Sequence, residues 1–528
     1  MSPGRRAPSP DEPRLHLAWF AVVALLALLA YARSFTASFQ FDDYAVLVAE
    51  ENGRLSSWTD FLSFARARTV PFASLAANYW VGGRNPLGYH VVNMMVHLLA
   101  TFLVYELALA LCRTPRLRAT WLAQERLPFA VAAAAVFACH PIEVQAVTYV
   151  VQRVSSMAAM FYVGSVLAYV RARNAELGAR PDRAATAYAG SLLLALGAFL
   201  SKENTASLPL AIMLAEVTFF GVKGVPKQLR RIAPFVVLML VIPFMWKLLA
   251  IGPRRLPDGS EVPAEPLTAF LRLLVFRANP TADISPLEYL FTQAVVIPRY
   301  LRLVILPWGL NVDHDIAVER SFSAAVASGF AFLALLLAFG VYAVRHWPVL
   351  GFAILWLFVA LSVESSILPI HDVMVEHRMY LAMPGIALAA GNGFAWFFRL
   401  RRSTALIAGT AALLLLGALT FMRNEVWRTH ESLWSDALAK SPRKPRVYVN
   451  LGQALYLAGR VDEAISRYCQ ALALDPQYVQ ARVNLDAAVE KQADAGFDSE
   501  DEIVLEEMHT GPPGSAVVLR PPDPCRGR

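Results

Sequence analysis

Apolar stretches of about 17 to 25 residues recur through the first 420 or so residues of this chain, and runs of that length leave a polypeptide little choice of fold. In a bilayer core every backbone N–H and C=O must find an internal partner, so such runs become helices. They fall near 15–35, 88–112, 127–142, 154–171, 184–201, 205–221, 232–251, 322–344, 350–370, 379–398 and 404–422. Only 17% of the residues are charged, against about 25% in soluble proteins. The expected fold class is all-α: a polytopic helical membrane protein of about eleven transmembrane helices. After roughly residue 424 the composition turns to ordinary soluble character.

Basic loops set the orientation. Arg113, Arg116, Arg118 and Arg126 crowd one loop, Arg171, Arg173, Arg180 and Arg183 a second, Lys223, Lys227, Arg230 and Arg231 a third, and Arg399, Arg401 and Arg402 a fourth. Placing these in the cytoplasm puts residues 1–14 there as a short tail. The segment from 15 then reads as an uncleaved anchor, although Ala30-Tyr31-Ala32 resembles a signal-peptide cleavage site. Residues 290–308, "LFTQAVVIPRYLRLVILPW", are long enough to cross. Pro298, Arg299, Arg302 and Pro307 suit a re-entrant or surface-lying helix better. With that segment excluded, the membrane domain covers 15–423 and the C-terminal part lies outside the cytoplasm.

The net charge of +7 is accounted for by these topogenic arginines, so nucleic-acid binding is not expected. Four cysteines without a CxxC or His–Cys spacing indicate neither a zinc site nor a disulfide framework. Residues 424–490 repeat with a period of about 34: Trp434 recurs as Tyr468, Ala437-Leu438 as Ala471-Leu472, Pro442 as Pro476, and Asn450-Leu451 as Asn484-Leu485. This is a tetratricopeptide (TPR) pattern, with one full repeat and partial flanks, read either as a peptide-binding groove or as a helical buttress. Residues 491–528, acidic and then proline-rich, read as a disordered tail.

In this topology the polar clusters gather on the extracytoplasmic side: Asp42/Asp43, Tyr89/His90/Asn93, His140/Glu143, Arg153, Lys202/Glu203/Asn204, Asn279/Pro280, Asp313/His314/Asp315 and Glu376/His377/Arg378/Tyr380. Adjacent carboxylates beside hydrocarbon are costly unless solvated, paired or used. Asp42 and Asp43 are therefore candidate general bases, an acidic loop or helix cap being the bland alternative. His90, Asn93 and His97 form one helical face, suited to interhelix hydrogen bonds or to a substrate cavity. His140, Glu203, His314, Glu376, His377 and Tyr380 are further cavity candidates. Isolated cations on the outer rim run against the positive-inside rule, so Arg153, Lys202 and Arg378 suggest an anion site fitted to phosphate. No cofactor is certain. Asp313 and Asp315 are the candidate ligands for a divalent cation such as magnesium or manganese.

The ordered motifs "FDD", "NYWVGGRNPLGYHVVNMMVHLL", "HPIEVQAVTYVVQR", "LSKEN", "RANP", "YLRLVILPWGLNVDHD" and "EHRMYL", followed by TPRs, resemble bacterial membrane TPR proteins and the eukaryotic transmembrane-and-TPR protein O-mannosyltransferases. Both belong to the C-type glycosyltransferase (GT-C) superfamily. The resemblance covers roughly residues 15–490. It implies an inverting transferase that uses a polyprenyl-phosphate sugar, with the family's first-loop acidic pair falling on Asp42 and Asp43. Thr69-Val70-Pro71 stands where the family usually has Arg before Pro, with Arg68 two residues away. The expected chemistry is proton removal from a Ser or Thr hydroxyl of an acceptor protein by one of the aspartates. Arg153, Lys202, Arg299 and Arg378 are the candidates to stabilise the leaving phosphate. The expected site is extracytoplasmic, in a bacterial inner membrane, with membrane lipids as neighbours and the TPRs presenting the acceptor. Transfer to a lipid or surface glycan, and a non-enzymatic TPR scaffold, are the alternatives.

Overall fold

The computed structural model describes residues 12–48, 68–221, 224–242, 284–366 and 368–497, with short pieces at 254–255, 261–262 and 525. Asn279, Pro280, the second half of the 232–251 run and most of the tail lie outside the described residues. Among the described residues the regular structure is helical, apart from a two-residue antiparallel pairing of Arg254–Arg255 with Glu261–Val262. It divides into two compact units: residues 1–310 with 316–428, and Asn311–Asp315 with Thr429–Arg528.

In the first unit the apolar runs become helices where their termini can be closed. Pro86 sits in the first turn of Pro86–Leu111, and the Asn85 side chain accepts from the Leu87 N–H at 3.1 Å. Proline there costs nothing, because that N–H has no helical partner anyway. Ser323 caps Ala324–His346 in the same way, through the Val326 N–H. Among the described residues five helices are long and apolar enough to cross a membrane: Pro86–Leu111, Val150–Leu177, Ala324–His346, Glu376–Leu400 and Arg402–Val426. The bent pair Arg126–Cys139 and Pro141–Thr148 has the length and apolar composition of a sixth span or of a re-entrant loop.

Several expected spans are shorter than the sequence suggests. The run at 350–370 is helical only over Pro348–Leu361, and the run at 205–221 is Leu208–Ala215 followed by a π-turn at Glu216–Phe220. The excluded segment forms one continuous helix, Pro286–Ile305, opened by a capping box between Ser285 and Glu288. It buries Tyr289, Gln293, Val296 and Tyr300 on one face, while Arg299 is exposed.

Helices approach closely where side chains are small. A methyl at Gly391 would come within 2.6 Å of the Phe129 carbonyl, so Met379–Leu400 can lie against the alanine-rich Arg126–Cys139 only with glycine there. At the end of that alanine-rich helix the chain bends by 49° at His140–Pro141. Proline removes an N–H, and His140 Nδ1 accepts from the Ile142 N–H at 3.2 Å. Two short turns follow, Val144–Thr148 and Val150–Gln152, before Arg153–Leu177 begins. This crank presents the Val151 backbone N–H to the loop that follows Glu12–Ala30.

The second unit contains His430–Lys440, Pro445–Leu457, Val461–Leu474 and Val479–Phe497. The middle two form one helix pair, closed at Gly452, where a methyl would meet the Tyr468 ring. Asp313 is drawn into this unit by ion pairs with Lys444 and Arg446, the latter at 2.7 Å. Asn311 donates to Ser441 Oγ at 2.8 Å. Cys469 and Cys525 form a disulfide, which corrects the expectation of none.

Candidate active site

The two aspartates have opposite environments. Phe41, just before them, has φ +45°, a left-handed conformation that a bulky residue adopts only under constraint. It turns the chain so that Asp43 points inward and Asp42 outward. Asp43 is fully buried; its Oδ2 accepts from the Gln40 N–H at 2.9 Å and its Oδ1 from the Val151 N–H at 2.7 Å. It thus caps the Val150–Gln152 turn of the crank. Burial pushes its carboxyl up to about 7; the backbone bonds from Gln40 and Val151 pull the other way, and neighbouring Asp42 adds to the rise. Asp42 is exposed, and its backbone N–H donates to the Tyr149 hydroxyl at 2.9 Å. Phe39, Leu47, Phe72, Leu75, Tyr89, Val150 and Val154 form the apolar cluster around this loop.

Arg153 has a different place from the one expected. It is fully buried; Nε donates to Asn93 Oδ1 at 2.6 Å, Nη1 to Ser74 Oγ at 2.9 Å and Asn78 Oδ1 at 2.6 Å, and Nη2 to the Tyr89 carbonyl at 3.0 Å. With four bonds to neutral acceptors, its guanidinium is an internal strut and not an open phosphate ligand. Arg299, exposed on its helix, makes none of the pairings described next.

Lys202 and Arg378, by contrast, are brought together with an acid the sequence did not single out, Glu364. Lys202 Nζ lies 2.8 Å from Glu364 Oε1 and donates to Ser155 Oγ at 3.1 Å. Asn204 Nδ2 donates to Glu364 Oε2 at 2.9 Å. Arg378 donates to the Val373 carbonyl at 3.1 Å and to the Tyr289 hydroxyl at 3.3 Å, with Glu364 in electrostatic range. Arg68 grips Glu203 through three contacts of 3.1–3.2 Å, and feels Glu364 and Asp42 as well. Arg68, Lys202 and Arg378 therefore surround one region, with Asp42 at its rim.

The titrations reflect this crowding. Burial pushes the Lys202 ammonium down; Glu364 opposes this, while Arg68 and Arg378 reinforce it. Burial raises the Glu364 carboxyl, but Lys202 and Arg378 outweigh that and hold it below its ordinary value. Glu203 is kept low by Arg68 despite its own burial.

The remaining candidates separate into two groups. His90 Nε2 contacts the Ala37 carbonyl at 3.0 Å, Asn93 Nδ2 donates to the Val147 carbonyl at 2.9 Å, and His140 Nε2 contacts the Val304 carbonyl at 2.9 Å. The Tyr380 hydroxyl meets His97 Nδ1 at 2.8 Å. His90, Asn93, His140 and Tyr380 thus make bonds between segments of the bundle, and Glu203 holds Arg68. His377 remains beside the cations: its N–H is held by Gln145 Oε1 at 2.8 Å, its Nδ1 is buried without a hydrogen-bond partner, and Arg68, Lys202 and Arg378 are all in electrostatic range. Glu376, next to it, is fully buried. His314, Asp313 and Asp315 belong to the second unit. There Asp313 meets Lys444 and Arg446, and Asp315 meets Arg443 at 2.9 Å, so these carboxylates have cationic side chains as partners. Among the described residues no group of three or more His, Cys, Asp or Glu could hold a metal ion. Glu364 carries a sequence signal of its own, an acid inside an apparently apolar run.

Comparison with known proteins agrees with the motif resemblance. Residues 452–492 match the TPR repeat family. The chain is 26% identical to the protein O-mannosyl-transferase Tmtc1 of Drosophila melanogaster, over 92% of this chain and 65% of that protein. It is 24% identical to the protein O-mannosyl-transferase F38B6.6 of Caenorhabditis elegans, over 90% and 66%, and 24% identical to mouse TMTC4, over 85% and 65%. The chain thus spans just under two thirds of the length of the curated relatives it matches. Among solved structures, ArnT from Cupriavidus metallidurans bound to undecaprenyl phosphate matches with a TM-score of 0.43 at 15% identity, over 91% of this chain and 79% of ArnT.

Proposed function

We propose that this membrane protein is an inverting glycosyltransferase that moves a sugar from a polyprenyl-phosphate donor to Ser or Thr hydroxyls of extracytoplasmic proteins. Mannose is the first sugar to test, because the relatives are named for its transfer. The observation that carries the reading is an exposed carboxylate, Asp42, at the rim of a cluster of three cations.

In this reading the donor phosphate lies among Arg68, Lys202 and Arg378, and its prenyl chain extends into the membrane. Asp42 accepts the hydroxyl proton as the acceptor oxygen attacks the anomeric carbon. The bond from that carbon to the phosphate oxygen breaks, and its electron pair leaves with the phosphate. The three cations stabilise the charge that develops there, so a divalent cation is not part of the proposal. Asp43 acts through Asp42: by capping the Val150–Gln152 turn it fixes the strained loop that turns Asp42 outward.

The Cys469–Cys525 disulfide supports an oxidising compartment for the helical-repeat unit, in keeping with an extracytoplasmic, periplasmic location. The repeats are the proposed contact for acceptor protein. The test compares envelope glycopeptides from cells carrying the wild-type chain, a deletion, and Asp42→Asn. Loss of a hexose mass on Ser or Thr in both altered strains supports the reading. Loss in the deletion alone would make the chain a scaffold for another enzyme, and no change in any protein would redirect the search to lipid or glycan acceptors.

A further inference from the structure

Three cations and two carboxylates make up the charged side of the site. Arg68 is matched by Glu203, and Lys202 by Glu364, while Arg378 has no carboxylate among its hydrogen-bond partners. These five groups alone sum to one positive charge, and Asp42, acting on Arg68, and Asp372, acting on Arg378, offset it further.

A phosphodiester donor brings one negative charge. Once the sugar leaves, the remaining phosphate monoester has a second ionisation near pH 6 and carries about two. A site whose positive excess is at most one charge accommodates the singly charged donor more readily than the doubly charged product. Glu364 decides this balance, because it is the carboxylate placed between Lys202 and Arg378. Its geometry is well fixed: one oxygen on Lys202, the other on Asn204, and its own carbonyl accepting from the Tyr289 hydroxyl at 2.5 Å. Lys202 satisfies a buried carboxylate and is held by it, so an arriving phosphate meets a pre-positioned ammonium.

Resting on the proposed donor chemistry, we infer that Glu364 is a specificity-determining residue that tunes the anion site to the singly charged lipid-phosphate sugar and against the doubly charged lipid-phosphate product. It acts by like-charge repulsion on the product and by positioning Lys202, without contacting the reacting atoms. Its removal traps product.

The test uses the full chain in lipid nanodiscs, with polyprenyl-phosphate mannose as donor and the corresponding polyprenyl monophosphate as inhibitor. For Glu364→Gln the inference expects the ratio of donor KM to product Ki to rise about tenfold over wild type, with a product-release limit on kcat. Glu364→Asp keeps the charge and is expected to keep the wild-type ratio. It also controls for the case in which Glu364→Gln is poorly folded, because a charge-retaining variant with a tenfold altered ratio would overturn the inference. An unchanged ratio in a folded Glu364→Gln would overturn it as well. If polyprenyl monophosphate fails to inhibit even the wild-type protein, the lipid-phosphate reading itself falls and the inference with it.

Discussion

Replacing Asp43 by asparagine separates the two neighbouring aspartates by their effect on stability. In the fold this carboxyl titrates near 7, and in an unfolded chain near its ordinary 3.8. At about 1.4 kcal/mol for each pH unit of separation, the difference amounts to about 4 kcal/mol. The sign follows from proton counting. Between about pH 4 and about pH 7 the folded protein keeps a proton that the unfolded chain releases, so wild-type stability falls through that window and then levels off. Asparagine cannot ionise, so its stability curve lacks this fall. It also turns an NH2 group toward one of the two backbone N–H groups, Gln40 or Val151, that Asp43 accepts from. That loss costs about 1–3 kcal/mol at every pH. Asp43→Asn is therefore expected to be less stable than wild type near pH 4 and to exceed it by pH 8. Thermal unfolding in detergent across that range measures the crossover. A stability difference that stays constant with pH would refute the assignment of a strongly raised carboxyl.

Asp42→Asn, at an exposed position, is expected to leave the unfolding midpoint within about 0.5 kcal/mol of wild type and to lower sugar transfer by about 100-fold or more, read with purified protein and a synthetic Ser/Thr peptide. Arg153→Lys is expected to destabilise by about 3 kcal/mol or more, since a single ammonium cannot serve Asn93, Asn78, Ser74 and the Tyr89 carbonyl together; loss of folded yield by size exclusion reports it. Cys469 and Cys525 are expected to resist maleimide labelling in isolated membranes until a reductant is added, and labelling before reduction would contradict the disulfide.

How much of this was legible in the sequence differs from link to link. The apolar runs located the helices because backbone satisfaction in a membrane leaves no other regular structure. Their ends were less legible. At 350–370 hydropathy continues past Leu361, where the helix stops, and the turn beyond it carries Glu364. The aspartate pair stood out locally, but which of the two faces outward depends on Phe41 being held at positive φ and on the Val151 N–H, 108 residues further along the chain. No window of local sequence contains that information.

Arg153, Lys202 and Arg378 looked alike in sequence, each a solitary cation at the outer end of an apolar run, and only their partners tell them apart. Arg153 donates to amide, hydroxyl and carbonyl oxygens. A phosphate that took over this guanidinium would leave several buried acceptors without a donor, each costing about 1–3 kcal/mol. Lys202 is held chiefly by a carboxylate. There an incoming phosphate adds to, or exchanges with, a group of its own charge type and leaves fewer neutral acceptors unpaired. The expectation that follows is general to the site: cations lodged among neutral acceptors hold the bundle together, and cations lodged against acids are the ones open to an anionic substrate. It ranks the effect of charge-removing substitutions on donor KM as Lys202 above Arg153, provided each variant is compared at equal folded concentration.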